Sequence, residues 1–189
     1  GANKLTALLE EMLKAGGNIG WFRLLYLYPT RINSRLIDFI KTHRRVCKYV
    51  DLPIQHINDR ILKLMRRNTT KGPILRLIAR IRKEIPGVAI RTSLITGFPS
   101  ETDKEFRELL DFIEEARFER LGAFIYSREE GTAAYGFKQQ IPAKEKRERL
   151  DAIMSRQQAI SQEINNKFLG KTLEVLIDEE EKMQEPCCA

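Results

Sequence analysis

The apolar residues of the chain fall into two patterns: short, nearly continuous runs, and longer stretches in which they recur every three or four positions. The short runs end at proline, glycine or polar residues, which is typical of buried strands. The helical spacing predicts amphipathic helices between them. The predicted strands cover residues 21–28, 46–54, 88–96 and 121–127. The predicted helices cover roughly residues 4–13, 33–42, 58–65, 73–85, 102–113 and 144–168.

Capping residues mark where several of these helices begin and end. Asn58 is expected to be the N-cap of a short helix, because its side chain can accept a hydrogen bond from the free amides of a first turn. Pro73 is expected to be the first residue of the next helix. Thr102, with Glu105 three residues later, has the spacing of a capping box. Gly170 is expected to end the last helix.

Strands that alternate with helices long enough to cross over predict a parallel α/β sheet, either a barrel or an open doubly wound fold. Both architectures place their chemistry at the carboxyl ends of the strands. Four strands are too few to close a barrel, so the expected structure is part of one. Within the last apolar stretch, residues 173–177, the residues alternate as in a half-exposed strand. This pattern predicts a strand that begins a further β module.

Length and charge narrow the class of protein. The 189 residues are 42% hydrophobic and 31% charged, and no apolar run approaches the roughly 18 residues that span a bilayer. No secretory signal opens the sequence, so we expect a soluble, cytoplasmic protein that does not bind a membrane. The formal charge is +7, and ten bases against one acid lie between Arg60 and Arg91. This stretch indicates either an RNA-binding surface or the solvated sides of successive helices.

Cysteine and histidine are scarce. Cys47, Cys187 and Cys188 form neither a disulfide framework nor the spacing of a metal site, which fits a reducing cytoplasm. His56 follows Gln55 at a strand end, where an acid–base role and a structural role are both open. No set of serine, histidine and carboxylate has the spacing that would indicate a hydrolase.

The third predicted strand runs into the sequence SLITGFPSE, residues 93–101. Gly97 would let the backbone approach a ligand, and Phe98 would offer an apolar face to a purine-like ring. The alternative is an ordinary tight turn whose acidic residues complement the dipole of the next helix. Arg66 and Arg67 leave a similar choice, between contact with an anion and a solvated helix end. Neither GxxxxGK nor GxGxxG occurs, which argues against a phosphate loop.

Four segments resemble motifs of one enzyme family: YVDLPIQH at 49–56, LMRR at 64–67, LITGFPSET at 94–102 and YSREEGT at 126–132. In this order they resemble the radical S-adenosylmethionine methylthiotransferases, and the resemblance covers essentially residues 5–178. The sequence WFRLLYLYP and the pair Gln55 and His56 resemble the branch that methylthiolates an aspartate of a small-subunit ribosomal protein. The transfer-RNA branch usually carries a glutamine followed by Ser-Gly-Ser at that place.

The resemblance implies a parallel-sheet partial (βα) barrel of the radical S-adenosylmethionine type, with four of its six βα units present. In such enzymes a CxxxCxxC loop holds a 4Fe–4S cluster that reduces S-adenosylmethionine to a 5′-deoxyadenosyl radical. No CxxxCxxC occurs here, so no metal ligand is transferred, and we expect the chain to be an inactive piece of a longer enzyme. The implied parts are the barrel (1–143), a connecting helix (144–170), and the start of a TRAM-like β module with an acidic tail (171–189).

The resemblance also implies which residues would form part of an S-adenosylmethionine pocket at the strand ends. The candidates are Gln55 for polar contacts, Gly97 and Phe98 for a close turn and an adenine face, and Tyr126 with Ser127 on the last strand.

Two arginines inside predicted strands, Arg23 and Arg91, would either meet the carboxylate of the cofactor or form salt bridges within the barrel. The implied partners are a small-subunit ribosomal protein and an electron donor for the cluster. An enzyme that modifies transfer RNA and a non-enzymatic RNA-binding module are the alternatives.

Overall fold

The computed structural model describes residues 2–177, so the predicted acidic tail with Cys187 and Cys188 lies outside the described residues. Residues 2–177 form six α-helices, three strands and two short 3-10 turns. The helices are α1 (Ala2–Ala15), α2 (Ser34–Thr42), α3 (Asp59–Leu64), α4 (Lys71–Glu84), α5 (Asp103–Ala116) and α6 (Ala143–Asn166). The strands are β1 (Tyr49–Asp51), β2 (Ala89–Thr96) and β3 (Arg120–Ile125), and the 3-10 turns are Pro29–Arg31 and Ala133–Gly136.

The three strands form one parallel sheet in the order β1-β2-β3. Tyr49 of β1 pairs with Ala89 of β2, and Thr96 at the end of β2 pairs with Ile125 of β3. Parallel neighbours require crossover connections. Helices α3 and α4 connect β1 to β2, and α5 connects β2 to β3. The predicted parallel α/β sheet built from βα units is therefore confirmed.

The predicted strand at residues 21–28 is wrong, and the sheet of the described residues has three strands instead of four. Toward the sheet, the segment makes one isolated bridge, at Phe22, and a backbone hydrogen bond from Leu27 N to Asp51 O (2.8 Å). Between them Tyr26 is left-handed, with φ +57°, and its N–H donates to the carboxylate of Asp51 (3.0 Å). A ladder needs extended backbone at successive residues, so the segment lies beside the sheet without joining it.

The predicted strand at residues 173–177 is also wrong. Residues 171–177 have no regular structure, and the apolar side chains of this stretch are exposed. A strand depends on hydrogen bonds to a neighbouring strand, and within residues 2–177 no such neighbour pairs with this segment. The division of the chain at residues 143 and 170 stays a prediction.

The predicted N-terminal capping residues are confirmed, with one shift in position, whereas the predicted C-terminal cap Gly170 lies beyond the end of α6, whose C-cap is Lys167. The side chain of Asn58 accepts hydrogen bonds from two amides of the first turn of α3. Thr102 and Glu105 form the reciprocal pair of a capping box at the start of α5. Helix α4 begins at Lys71, two residues before Pro73. Proline is tolerated there because the amides of a first turn have no acceptor within the helix.

The hydrophobic core lies between the sheet and the helices. Along β2, residues are alternately buried and half-buried. Ile90 and Leu94 are buried in the core, whereas Arg91 and Ser93 lie on the more open face. Side chains of a strand alternate between its two faces, so one face of the sheet packs against helices and the other keeps polar side chains accessible.

Helix α6 packs against β3 and α5. Ile153 and Ile160 are buried, as predicted, but Met154 and Phe168 are exposed instead of facing inward. Because α6 covers one flank of the sheet, only a narrow stripe of the helix is buried. None of the helices within residues 2–177 has the length and apolar character needed to cross a bilayer.

Candidate cofactor site at the carboxyl ends of the strands

The carboxyl ends of the three strands lie side by side and bring the predicted cofactor residues to one edge of the sheet. Gln55, four residues after β1, forms a parallel bridge with Leu94 of β2. Tyr126, the residue after β3, donates its N–H to Thr96 O (2.9 Å). Gly97 follows Thr96 directly. Gln55, Gly97 and Tyr126 therefore lie on neighbouring strand ends, as the parallel sheet predicted.

The backbone of Gln55 is held on both sides. Its N–H donates to Ser93 O (2.9 Å), and its carbonyl oxygen accepts from Ile95 N (2.8 Å). The residue is left-handed, with φ +75°, a conformation that is uncommon for residues other than glycine and costs free energy. Strained backbone of this kind occurs often at functional sites. The side chain of Gln55 is half-buried at the strand end.

The neighbouring His56 is fully buried. Its environment distinguishes between the acid–base role and the structural role that the sequence left open. Its Nδ1 accepts a hydrogen bond from Asn58 N (3.0 Å), so a neutral ring carries its proton on Nε2. Nε2 has no hydrogen-bond partner within the described residues. Burial lowers the pKa of His56 to about 4, although the carboxylates of Glu105 and Glu108 act in the opposite direction. A neutral, buried imidazole favours the structural role.

The SLITGFPSE segment ends in a compact turn that holds Gly97 and Phe98. Gly97 has φ +69°, and a Cβ built on it would overlap the side chain of Lys146 from α6. The glycine is thus required both by the backbone and by the approach of α6. Phe98 is only 4% exposed, and its ring meets the ring of Tyr126 edge-on, with 5.1 Å between centroids.

A buried ion pair stabilises this turn. The carboxylate of Glu101 accepts a hydrogen bond from Phe98 N (3.0 Å) and lies 3.2 Å from Arg149 Nη1. Burial raises the pKa of Glu101, while Arg149 and the backbone N–H groups of Phe98 and Gly97 oppose that shift. The sequence interpretation gave Glu101 a dipole role only and missed Arg149. A signal was present, since Arg149 lies four residues before the buried Ile153 on the same helical stripe.

The last two predicted cofactor residues have different environments. The hydroxyl of Tyr126 is buried and has no hydrogen-bond partner among the described residues, and the same is true of the hydroxyl of Thr96. Ser127 is exposed, and its Oγ donates to Glu129 Oε1 (2.5 Å). Buried hydroxyls without partners are uncommon, so the strand ends retain capacity to bind a polar ligand. This fits the adenosyl part of S-adenosylmethionine.

The two arginines considered for the cofactor carboxylate are engaged on the open face of the sheet. Arg91 Nη1 lies 2.9 Å from Asp51 Oδ1, and the guanidinium of Arg23 lies over the ring of Tyr49, 5.4 Å from its centroid. Both line a cavity of about 610 Å³ together with Arg120. The geometry favours a salt-bridged interior for Arg91.

Half of the bases in the stretch between Arg60 and Arg91 are paired with carboxylates. Five of its ten bases form ion pairs: Arg60 with Glu105, Lys71 with Glu108, Arg80 with Glu84, Arg82 with Glu119 and Arg91 with Asp51. Arg67 donates to Pro53 O and lies over the ring of Tyr28, whereas Arg66 is exposed. Paired bases attract nucleic acid less than free ones, which weakens the RNA-binding interpretation.

The described residues contain no group of histidine, cysteine and carboxylate side chains that could hold a metal ion. Cys47 is a free thiol. An iron–sulfur cluster needs several convergent thiolates, so residues 2–177 do not fit such a cluster.

Comparisons with known proteins place this geometry in a family. The model of the radical SAM superfamily matches residues 4–113. A ribosomal protein uS12 methylthiotransferase RimO from Clostridioides difficile is 49% identical over 180 residues, covering 95% of this chain and 40% of that protein. Its counterpart from Geobacter sulfurreducens is 48% identical over 178 residues, covering 94% and 40%.

A solved structure supports the same fold. Coproporphyrinogen III oxidase (HemN) from Escherichia coli, a radical SAM enzyme, matches with a TM-score of 0.64 and 17% sequence identity, covering 84% of this chain and 37% of that one. The chain belongs to the radical SAM superfamily. It spans about 40% of the length of the curated relatives that it matches.

Proposed function

We propose that the chain is the carboxyl-terminal part of the radical SAM domain of a methylthiotransferase that modifies an aspartate of a small-subunit ribosomal protein. The observation that carries this proposal is the identity of 49% across 95% of the chain with a ribosomal protein uS12 methylthiotransferase. The strand-end pair Gln55 and His56, which resembles that branch, supports it further.

In this proposal the strand ends form the adenosyl side of the cofactor pocket. Gln55 supplies polar contacts, the Gly97–Phe98 turn supplies a close backbone and an apolar wall, and Tyr126 and Ser127 supply hydroxyls. The unpartnered hydroxyl of Tyr126 and the rigid backbone of Gln55 support these assignments. When bound, S-adenosylmethionine supplies the adenosyl radical chemistry of the superfamily. The residues of this chain would bind and orient it.

The iron–sulfur cluster has no ligand set within residues 2–177, so its ligands would come from another part of a longer protein. The relatives, which are about two and a half times the length matched here, are consistent with this arrangement. The proposed partners are the ribosomal protein, in isolation or on the ribosome, and a donor of electrons to the cluster. The proposed location is the cytoplasm.

The reaction can be tested with the full-length protein, anaerobically reconstituted with iron and sulfide. It is incubated with S-adenosylmethionine, a reductant and either small ribosomal subunits or transfer RNA, and both products are analysed by mass spectrometry. We expect a methylthio group on an aspartate of the ribosomal protein. Methylthiolated transfer RNA would overturn the substrate assignment, and modification of neither substrate would overturn the proposed function.

A matched pair of variants tests whether the strand ends bind S-adenosylmethionine. Gln55→Ala removes a proposed cofactor contact, whereas Gln158→Ala removes an exposed glutamine of α6. The first variant is expected to bind S-adenosylmethionine about tenfold more weakly, which corresponds to one lost polar contact. The second is expected to bind it as the wild type does.

A further inference from the structure

The first turns of α6 contact the same strand ends that carry the proposed cofactor residues. Lys146 and Arg149 lie three residues apart on α6, so they share one face of the helix. Lys146 reaches Gly97 and Tyr126, and Arg149 reaches Glu101. The connecting helix is therefore packed directly onto the turn that follows β2.

The stem of Lys146 fills the space where any other residue at position 97 would place its Cβ. Its Cγ, Cδ and Cβ are the atoms nearest to that position. Its Nζ donates to Tyr126 O (3.0 Å) and lies 5.0 Å from the centroid of the Tyr126 ring. One side chain thus joins the ends of β2 and β3.

The ammonium group of Lys146 has an unusual environment for a lysine. Among the described residues no carboxylate forms an ion pair with it, and its acceptor is a neutral carbonyl. Burial lowers the pKa of Lys146. A lysine normally keeps its charged end in water, so this placement is costly, and the favourable contribution must come from the packed stem and the bond to Tyr126.

Arg149 holds the other side of the turn. The residue is 5% exposed, and its Nη1 donates to Glu101 O (3.1 Å). Glu101 in turn accepts from Phe98 N (3.0 Å). The backbone of the Gly97–Phe98 turn is therefore set by α6 from two directions.

We propose that Lys146 is a positioning residue for S-adenosylmethionine: its stem and Nζ fix the Gly97 turn against the end of β3, so that the adenosyl pocket is formed before the cofactor arrives. The inference rests on the proposed function. A preformed turn lowers the free-energy cost of ordering the site on binding. Without the stem, the left-handed Gly97 is free to take other conformations.

The test compares Lys146→Ala with Lys144→Ala in the full-length, cluster-reconstituted protein. Lys144 lies on the same helix with an exposed side chain, and its ion pair among the described residues is a long, solvated one with Glu148. Calorimetric titration of S-adenosylmethionine is expected to give about tenfold weaker binding for Lys146→Ala and unchanged binding for Lys144→Ala. Amide hydrogen exchange without cofactor is expected to be faster at residues 97–101 in Lys146→Ala alone.

Kinetics separate positioning from a loss of folded protein. Lys146→Ala is expected to raise KM for S-adenosylmethionine with kcat little changed, whereas partial unfolding lowers kcat and leaves KM unchanged. Lys146→Met keeps the stem over Gly97 and is expected to recover most of the binding. A methionine variant as weak as the alanine variant would overturn the role of the stem.

The outcomes also distinguish a failure of the Lys146 inference from a failure of the proposed function on which it rests. If the wild type binds S-adenosylmethionine and Lys146→Ala binds it equally well, the inference is wrong and the proposed function stands. If the wild type does not bind it, the proposed function is wrong and the inference with it.

Discussion

Two regions of the molecule reach opposite structures, and the more apolar of the two sequences is the more exposed one. At the strand ends, the SLITGFPSE segment is buried, and its turn is fixed by hydrogen bonds and an ion pair from α6. The segment at residues 21–28, in contrast, has one bridge to the sheet and leaves Tyr26 77% exposed and Leu25 51% exposed.

The difference lies in which neighbouring strands and helices each region can pack against and form hydrogen bonds with. The strand ends have neighbours on both sides, because β2 is the central strand and α6 covers the turn. Among the described residues, the backbone of the 21–28 segment forms hydrogen bonds to other segments on one side only, with residues 45–51 at and before β1. An apolar run becomes a regular strand when both its hydrogen-bonding groups and its side chains find partners. Hydrophobicity alone therefore does not decide which run joins the sheet.

The largest expected loss of stability comes from Arg149→Met, which removes the ion pair that holds the strand ends. Without the guanidinium, the buried carboxylate of Glu101 loses its counter-charge, and breaking a buried pair typically costs about 3–5 kcal/mol of stability. Urea unfolding would measure the loss. Arg156→Met is the matched control on the same helix, because its ion pair with Glu114 is partly exposed on both sides and is expected to be worth less than about 1 kcal/mol.

A second change tests the cause of the Arg149 effect. In the double variant Arg149→Met with Glu101→Gln, the neutral amide oxygen can still accept the N–H of Phe98. No buried charge is left unpaired, because the other two carboxylates that pair with Arg149, those of Asp103 and Glu145, are accessible to solvent. We expect most of the lost stability to return. Equal losses in the Arg149→Met and Arg156→Met variants would show that the strand ends are no more tightly held than the surface.

A smaller effect is expected within the 21–28 segment itself. Leu27 is 8% exposed, so Leu27→Ala should cost about 2–3 kcal/mol through lost burial and a cavity. Leu25→Ala removes a half-exposed side chain of the same type and should cost less than about 0.5 kcal/mol. Thermal denaturation of both variants would measure the difference. A large loss in Leu25→Ala would mean that the segment is covered in solution, as the strand ends are.

The smallest effect is expected from the titration of His56. Its pKa is lowered to about 4 in the folded protein and is about 6.5 in an unfolded chain. The unfolded state therefore binds the proton more readily as the pH falls through this window. Stability should decrease by about 2 kcal/mol between pH 7 and pH 5.

A histidine variant assigns this pH dependence. His56→Asn can still accept the N–H of Asn58 but cannot titrate, so its stability should vary much less between pH 7 and pH 5. A pH dependence in His56→Asn equal to that of the wild type would show that another group carries the acid sensitivity.

Much of the architecture was predictable from local pattern. Apolar spacing placed all six helices, and side-chain capping by Asn58, Thr102 and Glu105 followed from residues within one turn of each other. The parallel order followed from crossover lengths. The prediction failed at residues 21–28 and 173–177, where strand formation depends on a neighbour that is distant in sequence.

The candidate site was predictable in position but incomplete in its members. The family resemblance nominated Gln55, Gly97, Phe98, Tyr126 and Ser127, and they lie together because parallel strands end at one edge of a sheet. Lys146 and Arg149 were missed, since they come from a helix that follows the last strand by more than a dozen residues. Nothing in the spacing of the sequence states which turn of α6 meets which strand end.

By itself, the sequence determined the six helices, the three strands of the sheet, the N-terminal caps Asn58 and Thr102, and the family to which the motifs are similar. These depend on backbone sterics and on side chains a few residues apart. Only the tertiary structure decided that residues 21–28 remain outside the sheet, that His56 is buried and neutral, and that Lys146 and Arg149 contact the turn at residues 97–101. Burial and ion pairing depend on which distant segments pack together, and local pattern does not contain that information.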